Sequence, residues 1–124
     1  MSDFAEQFEE LRIWQQAREQ ARDVYWDFGG ESIGARDFGF RDQIQRAAVS
    51  VMNNIAEGFE RHSSKEFAHL LGVAKGSCGE VRSMFYLAED LEYISPELAA
   101  ERRKRALGLS RGIEALNKRL RASG

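Results

Sequence analysis

The sequence has very little proline and cysteine, and it has no long apolar run. One proline in 124 residues favours long uninterrupted helices, because proline breaks a helix interior. One cysteine excludes an internal disulfide, which fits a reducing compartment such as the cytoplasm. No apolar run approaches the roughly 18 residues of a membrane span, and the acidic start MSDFAEQFEE lacks the apolar segment of a signal peptide. We therefore expect a cytoplasmic protein that does not enter a membrane.

Strand patterns are also absent, whereas helical spacing runs through most of the chain. Apolar residues recur every three or four positions in four segments, and no stretch alternates with period two for long enough to predict a strand. The composition, 43% hydrophobic and 31% charged, is typical of a soluble globular domain with its own core. Helices are predicted near residues 8–28, 38–60, 64–93 and 96–121.

The ends of these helices carry local signals. Gly29-Gly30 is typical of a helix end. Ser63 and Glu66 have the spacing of a capping box, and Ser95-Pro96 indicates an N-cap followed by proline at the first helical position. Because the later connections are only a few residues long, neighbouring helices should be antiparallel. The predicted fold class is all-α, an up-down-up-down antiparallel four-helix bundle that forms a single domain over residues 1–124.

The net charge is −2, but the two signs are unevenly distributed. Residues 101–124 contain eight Lys or Arg and two Glu, a net charge of +6, whereas residues 1–100 contain ten basic and 18 acidic residues, a net charge of −8. The positive fourth helix either meets a polyanion or pairs with the acidic helices of its own bundle. The basic run RRKR (102–105) points in several directions around a helix, so no single partner can contact all four side chains.

Three basic residues of the fourth helix share one face. Lys104, Arg111 and Lys118 are seven residues apart, so they align almost opposite the apolar stripe of that helix. This basic ridge is either a solvated surface or a contact for nucleic-acid phosphates or for an acidic partner. Aromatic residues suited to base stacking are absent from the fourth helix, which argues against a ridge that binds single strands.

A row of small residues lies beside the apolar stripe of the third helix. This glycine row consists of Gly72, Gly76, Gly79 and Ser83, spaced by four, three and four residues. A glycine in a helix interior costs roughly 1 kcal/mol relative to alanine, so a close contact must offset roughly 3 kcal/mol. The row is predicted either to pack tightly inside the bundle or to form a subunit interface. Tyr86, one turn further along, would anchor either contact.

The second helix carries a polar line away from its apolar stripe. Its members are Arg46, Ser50, Asn53 and Glu57. This line is either a solvated face or a surface that packs against a neighbouring helix or subunit, where its groups would need hydrogen-bond partners. The candidate partners on the third helix are Lys75 and Glu80.

Few residues suggest chemistry. Glu66 and His69 form one Glu-x-x-His pair, whereas di-iron bundles need two such pairs and further carboxylates. Cys78 lies on the apolar stripe of the third helix, where a thiol is a small buried hydrophobe rather than a nucleophile. No GxxxxGK[ST] phosphate-binding motif occurs. We predict no enzyme, no catalytic residue, no cofactor or metal site and no small-molecule substrate; a metal-dependent enzyme is a remote alternative.

Four segments together carry a specific combination of motifs. They are FEELRIWQQAREQA (8–21), FGFRDQIQRAAVSVMNNIAEGFER (38–61), SSKEFAHLLGVAKGSCGEV (63–81) and LEYIS (91–95). With NIAEG, SxKEF and AKGS at these spacings, the chain resembles a bacterial four-helix-bundle family whose members are encoded in intervening sequences of 23S ribosomal RNA genes. The fourth helix resembles the family more loosely.

The resemblance implies a non-enzymatic protein that assembles with itself. The family is similar in turn to the accessory variability determinant of diversity-generating retroelements, a pentameric ring of four-helix bundles that binds reverse transcriptase and nucleic acid. It therefore implies a homo-oligomeric ring, with a pentamer as the candidate form, associated with RNA or a protein–RNA complex. Those relatives are strongly basic, whereas this chain has a net charge of −2. A structural adaptor is our first expectation, and direct nucleic-acid binding through the basic ridge is the alternative.

Overall fold

The computed structural model describes residues 5–123, which form four long helices. These are α1 (Arg12–Asp27), α2 (Phe38–Glu60), α3 (Ser64–Asp90) and α4 (Pro96–Ser123). Short 3-10 helices, Phe8–Glu10 and Ile33–Arg36, precede α1 and α2. No strand occurs within residues 5–123, so the all-α prediction is confirmed. No helix in this part of the chain combines the length and the apolar character needed to cross a bilayer.

Contacts between neighbouring helices show that they run in alternating directions. Between α3 and α4, Glu89 pairs with Arg103 at one end and Lys75 pairs with Glu114 nearer the other end. Residue numbers therefore rise along one helix as they fall along the next, which confirms the antiparallel bundle. α3 lies between α2 and α4 and packs extensively against both.

The core consists of two clusters, one towards each end of the bundle. The first contains Ile13, Ala17, Val51, Ile55, Leu71, Ala74, Cys78, Ala106, Leu109 and Ile113. The second contains Ala21, Val24, Phe28, Phe40, Ile44, Ala47, Ala48, Val81, Phe85 and Ala88. All four helices supply the first cluster and α1 to α3 supply most of the second, whereas Met52 packs against both clusters. The apolar spacing seen in the sequence therefore marks the buried side of each helix.

Two helix boundaries differ from the predicted ones by three residues or more, and the ends of α1 and α4 differ by one and two residues. α1 begins at Arg12, four residues later than predicted, because Leu11 has an extended backbone that separates it from the 3-10 helix at Phe8–Glu10. α3 ends at Asp90, three residues earlier than predicted, because Glu92 adopts a left-handed backbone with φ of 59°. The N–H groups of the two residues after Leu91 bond back to Glu89 and Ala88, which is the Schellman arrangement of a helix end.

The turn from α2 to α3 depends on a close approach of the two helices. A Cβ at Gly58 would lie 2.8 Å from a ring carbon of Phe67 and 3.2 Å from the Cβ of Leu70. The Ser63 hydroxyl then caps α3 by accepting from the N–H of Glu66 at 3.0 Å, and the Glu66 carboxylate returns to that hydroxyl at 3.1 Å. The predicted capping residue is confirmed, although the carboxylate contacts the Ser63 side chain instead of its backbone.

Candidate interaction surfaces

The glycine row of α3 faces away from the bundle. Gly72, Gly76, Gly79 and Ser83 are all exposed. A Cβ placed on any of the three glycines would have no neighbouring heavy atom within 4 Å, apart from the backbone of α3 itself and residues outside 5–123. The alternative of tight packing inside the bundle is therefore wrong for these positions. The subunit-interface alternative remains a prediction.

Exposed apolar side chains flank the glycine row. Tyr86 is 58% exposed, and the guanidinium of Arg103 lies 4.1 Å from its ring centroid. Val73 and Leu87, on the same side of α3, are 41% and 46% exposed. The surface around the row is therefore flat at the glycines, and its margins combine exposed apolar side chains with the charged Lys75 and Glu80.

Three members of the polar line of α2 point to solvent. Arg46 pairs with Asp42 of its own helix at 2.9 Å, Glu57 pairs with Arg61 one turn later, and Asn53 is exposed. The fourth member, Ser50, shares a 2.9 Å hydrogen bond with the hydroxyl of Ser77 on α3. Only the edge of the line therefore contacts a neighbouring helix within residues 5–123.

Lys75 and Glu80 do not serve as partners of the polar line inside the protein. Lys75 lies on the opposite edge of α3 and approaches Glu114 of α4 at 3.4 Å. Glu80 accepts a 3.0 Å hydrogen bond from Gln43, one turn before the polar line begins. The prediction of these two partners is wrong within one protein molecule. Their positions along α3 still border the glycine row.

The basic run 102–105 mostly neutralises acids of the bundle. Arg102 forms a bidentate pair with Asp27 at 2.8 and 3.0 Å and also reaches Asp23 at 3.3 Å. The hydrogen bond to Asp27 raises the pKa of Arg102 above its ordinary value, against the opposing effect of burial. Arg103 bonds to Glu89 at 2.8 Å, and Arg105 contacts both Glu19 and Asp23. Much of the positive charge of α4 thus serves the protein itself.

The basic ridge is the part of α4 that stays outside this network. Lys104, Arg111 and Lys118 are exposed and make no ion pair within residues 5–123. At 1.5 Å of rise per residue, neighbouring members of the ridge are about 10.5 Å apart along the helix. The sequence therefore located three uncompensated charges correctly, and their contact with a polyanion stays a prediction.

The residues considered for catalysis or metal binding are either buried or far from one another. The Cys78 side chain is fully buried, and burial raises the pKa of its thiol, which donates a 3.3 Å hydrogen bond to the carbonyl of Ala106. The prediction of a buried hydrophobic cysteine is confirmed. Glu66 contacts Ser63 and Arg61, and the described residues contain no group of three or more His, Cys, Asp or Glu placed to hold a metal.

Sequence reasoning missed the outward face of α1. Arg18 and Arg22 are exposed there, together with Tyr25 and Trp26, which are 50% and 75% exposed. The spacing Arg22–Trp26 of four residues places a cation and an aromatic ring on neighbouring turns, and this signal was present in the sequence. The apolar spacing of α1 identifies only its buried side, so it gives no information about the opposite face.

The fold and these surfaces define the class of protein. It is a four-helix bundle whose glycine row, unpaired basic residues and open aromatic rings lie on outward helix faces. The chain belongs to the 23S rRNA-intervening sequence protein family, whose model matches residues 9–115. The family predicted from the sequence motifs is thereby confirmed. No curated protein matched the sequence.

A similar crystal structure is that of a protein of unknown function from the S23 ribosomal protein family of Bacteroides thetaiotaomicron VPI-5482. The two chains are 20% identical and superimpose with a TM-score of 0.79, over 86% of this chain and 95% of the other. At this identity the likeness shows the fold.

Proposed function

We propose that the protein is a non-enzymatic four-helix bundle that associates with copies of itself and acts in the cytoplasm as a structural adaptor for RNA or a protein–RNA complex. The observation that supports self-association is the outward glycine row of α3. Its three glycines cost the helix roughly 3 kcal/mol relative to alanine. Within residues 5–123 no close approach requires them. Contact with the backbone of another protomer would offset that cost.

The neighbouring surfaces suit a contact between unlike faces. Closed rings are built from heterologous interfaces, in which one patch of a protomer meets a different patch of the next. The glycine row offers a smooth apolar face, and the polar line of α2 offers a second, hydrogen-bonding face beside it. Lys75 and Glu80 would lie at the rim, where their present surface pairs are weak and can be exchanged. The family resemblance suggests five protomers.

The native mass tests self-association. Light scattering should give a mass above the 14.1 kDa of one protomer, and about 70 kDa for a pentamer. Gly76→Trp should lower the mass, because the indole fills the space into which a partner backbone would fit. Gly108→Trp is the matched control: it is also an exposed helical glycine with an open Cβ direction, but it lies on α4 outside the row.

Two results would overturn this proposal. One is a wild-type protein that has the mass of a single protomer at all concentrations tested. The other is a Gly76→Trp variant that folds normally by circular dichroism and keeps the wild-type mass.

A second candidate function is direct nucleic-acid binding through the basic ridge. The observation in its favour is that Lys104, Arg111 and Lys118 are exposed and unpaired within residues 5–123. Contacts of this kind bind phosphates without reading sequence, and they weaken steeply as salt rises. Replacing the three residues by Gln should abolish salt-dependent binding of labelled RNA, and unchanged binding would exclude the ridge.

A further inference from the structure

We propose that the outward face of α1 binds single-stranded RNA, with bases stacked on Trp26 and Tyr25 and phosphates held by Arg18 and Arg22. This inference rests on the part of the proposed function that brings the protein to RNA, and it does not depend on self-association. It places the contact on a different helix from the basic ridge of α4.

The charges of α1 are separated to its two sides. The acids Glu19, Asp23 and Asp27 all pair with Arg102 or Arg105 of α4. Arg18 and Arg22 pair with none of these acids within residues 5–123. Ion pairing inside the bundle therefore leaves the outward face of α1 positive, although the chain as a whole is negative.

The two arginines are available to an external anion. Arg18 and Arg22 are exposed, and neither forms an ion pair within residues 5–123. The guanidinium of Arg18 lies 5.7 Å from the ring centroid of Trp14, a contact that orients the side chain along the helix and leaves its charge uncompensated. Arg22 precedes Trp26 by one turn, so a cation and a flat ring are adjacent on the surface.

The aromatic rings of this face are unusually open. Trp26 is 75% exposed and Tyr25 is 50% exposed, whereas aromatic side chains of this size normally contribute to a core. Tyr25 forms a wall of two shallow clefts. One is lined by Arg22, Trp26, Gly29, Gly30 and the acid Glu31, and the other by residues of α2 between positions 42 and 50. The acid of the second cleft, Asp42, is already paired with Arg46.

This combination of groups favours a single strand over a duplex. Stacking on an aromatic side chain contributes roughly 5- to 150-fold in affinity per base, and it needs bases whose faces are free. In a duplex those faces are already stacked, so only the phosphate contacts would remain. The basic ridge of α4 has the charges without the rings, so it offers phosphate contacts but no stacking.

Fluorescence of the two tryptophans provides a direct test. The chain contains only Trp14 and Trp26, and both lie on α1, so stacking should quench the emission. The probe is a 12-nucleotide oligouridine, titrated into the protein at low salt, with a 12-base-pair RNA duplex as comparison. We expect quenching by the single strand, and weaker binding without comparable quenching by the duplex.

Variants separate stacking from charge. Trp26→Ala should weaken oligouridine binding about 10-fold, measured by anisotropy of a labelled probe, and should leave duplex binding unchanged. Arg22→Gln should weaken both and reduce the slope of log affinity against log salt by about 0.7. Arg82→Gln, an exposed arginine of α3 that lies outside both this face and the basic ridge, is the matched control and should have little effect on oligouridine binding. All three side chains are exposed, so the variants should fold.

The outcomes distinguish this inference from the proposed function. If the wild type binds oligouridine but Trp26→Ala and Arg22→Gln bind equally well, the α1 surface is wrong and the RNA-associated function stands. If the wild type binds neither probe at low salt, both the α1 surface and the RNA part of the proposed function are wrong. The outward face of α1 would then be a contact for another protein. Self-association is measured separately by mass and is affected by neither result.

Discussion

At the scale of single residues, Tyr93 connects parts of the chain that are far apart in sequence. Its hydroxyl donates a 2.6 Å hydrogen bond to Oδ2 of Asp37, and Oδ1 of Asp37 accepts from the N–H of Phe40 at 3.1 Å. The bond from Tyr93, followed by that from Phe40, lowers the pKa of Asp37 below its ordinary value. The carboxylate is therefore favoured in the folded protein, where it caps α2.

We predict that Tyr93→Phe makes the fold less sensitive to acid. A lowered pKa of Asp37 adds stability above a pH of about 4, and that stability is lost as the pH falls through the folded-state pKa. The variant lacks the hydrogen bond, so the pKa of Asp37 should rise towards its ordinary value. Urea unfolding should show a clear loss of stability at pH 7 and a smaller one at a pH of about 2. Equal losses at both pH values would contradict this account.

The sequence revealed local contacts of this kind and missed the distant ones. Ser63 caps α3 through a residue three positions away, and Ser95 caps α4 by accepting from the N–H of Leu98 at 3.1 Å, so both were recognisable from spacing. Asp37 and Tyr93 are 56 residues apart, and they meet only because the corner after α3 folds back on the start of α2. No local pattern specifies such a pair.

At the scale of helices, two glycines have opposite surroundings. Gly58→Ala should destabilise the protein by about 1–3 kcal/mol, because the new Cβ would overlap Phe67 and Leu70 at the turn between α2 and α3. Gly76→Ala should stabilise the isolated protomer by about 0.5–1 kcal/mol, because alanine favours helix and meets nothing there. Urea unfolding at low protein concentration measures both effects. The idea fails if the two changes have the same sign.

The apolar spacing predicted the helices, and the exceptions have local causes. α2 matches its predicted bounds, because Asp37 and the extended residue after Glu60 define its ends clearly. α3 was predicted too long, since the left-handed position at its end is occupied by Glu92 and not by the glycine that usually marks it. The sequence did not show whether the glycine row faces solvent or another helix. Residue spacing indicates which residues share a helix face, but not which faces pack against another helix.

At the scale of the whole molecule, α1 and α4 are joined by ion pairs in addition to their apolar packing. Side-chain exposure is 17% for Arg102 and 6% for Asp27, so this pair is shielded from solvent, whereas Arg105 is 46% exposed. The basic fourth helix could have indicated a polyanionic partner, but several of its arginines pair with acidic residues of α1 and hold the two helices together. This uneven charge could be read from the sequence, but its use depends on which helices become neighbours.

Arg102 and Arg105 should therefore differ in their importance for stability. Arg102→Gln should cost about 2–4 kcal/mol, because it leaves the buried carboxylate of Asp27 without its partner. Arg105→Gln should cost about 0–1 kcal/mol, because its pairs are solvated. Urea unfolding gives both values, and hydrogen exchange should show α1 opening first in Arg102→Gln. Similar losses in the two variants would rule out this distinction.

The division of the core into two clusters bears on how the molecule responds to heat. Met52 packs against both clusters, and its unbranched thioether side chain can adjust to movements on either side. The helices run through both halves of the bundle, so the two halves should unfold cooperatively on heating as long as the two clusters pack against each other. Met52 provides packing between the two clusters. Shortening its side chain should weaken the coupling between them, so that one end of the bundle unfolds at a lower temperature than the other.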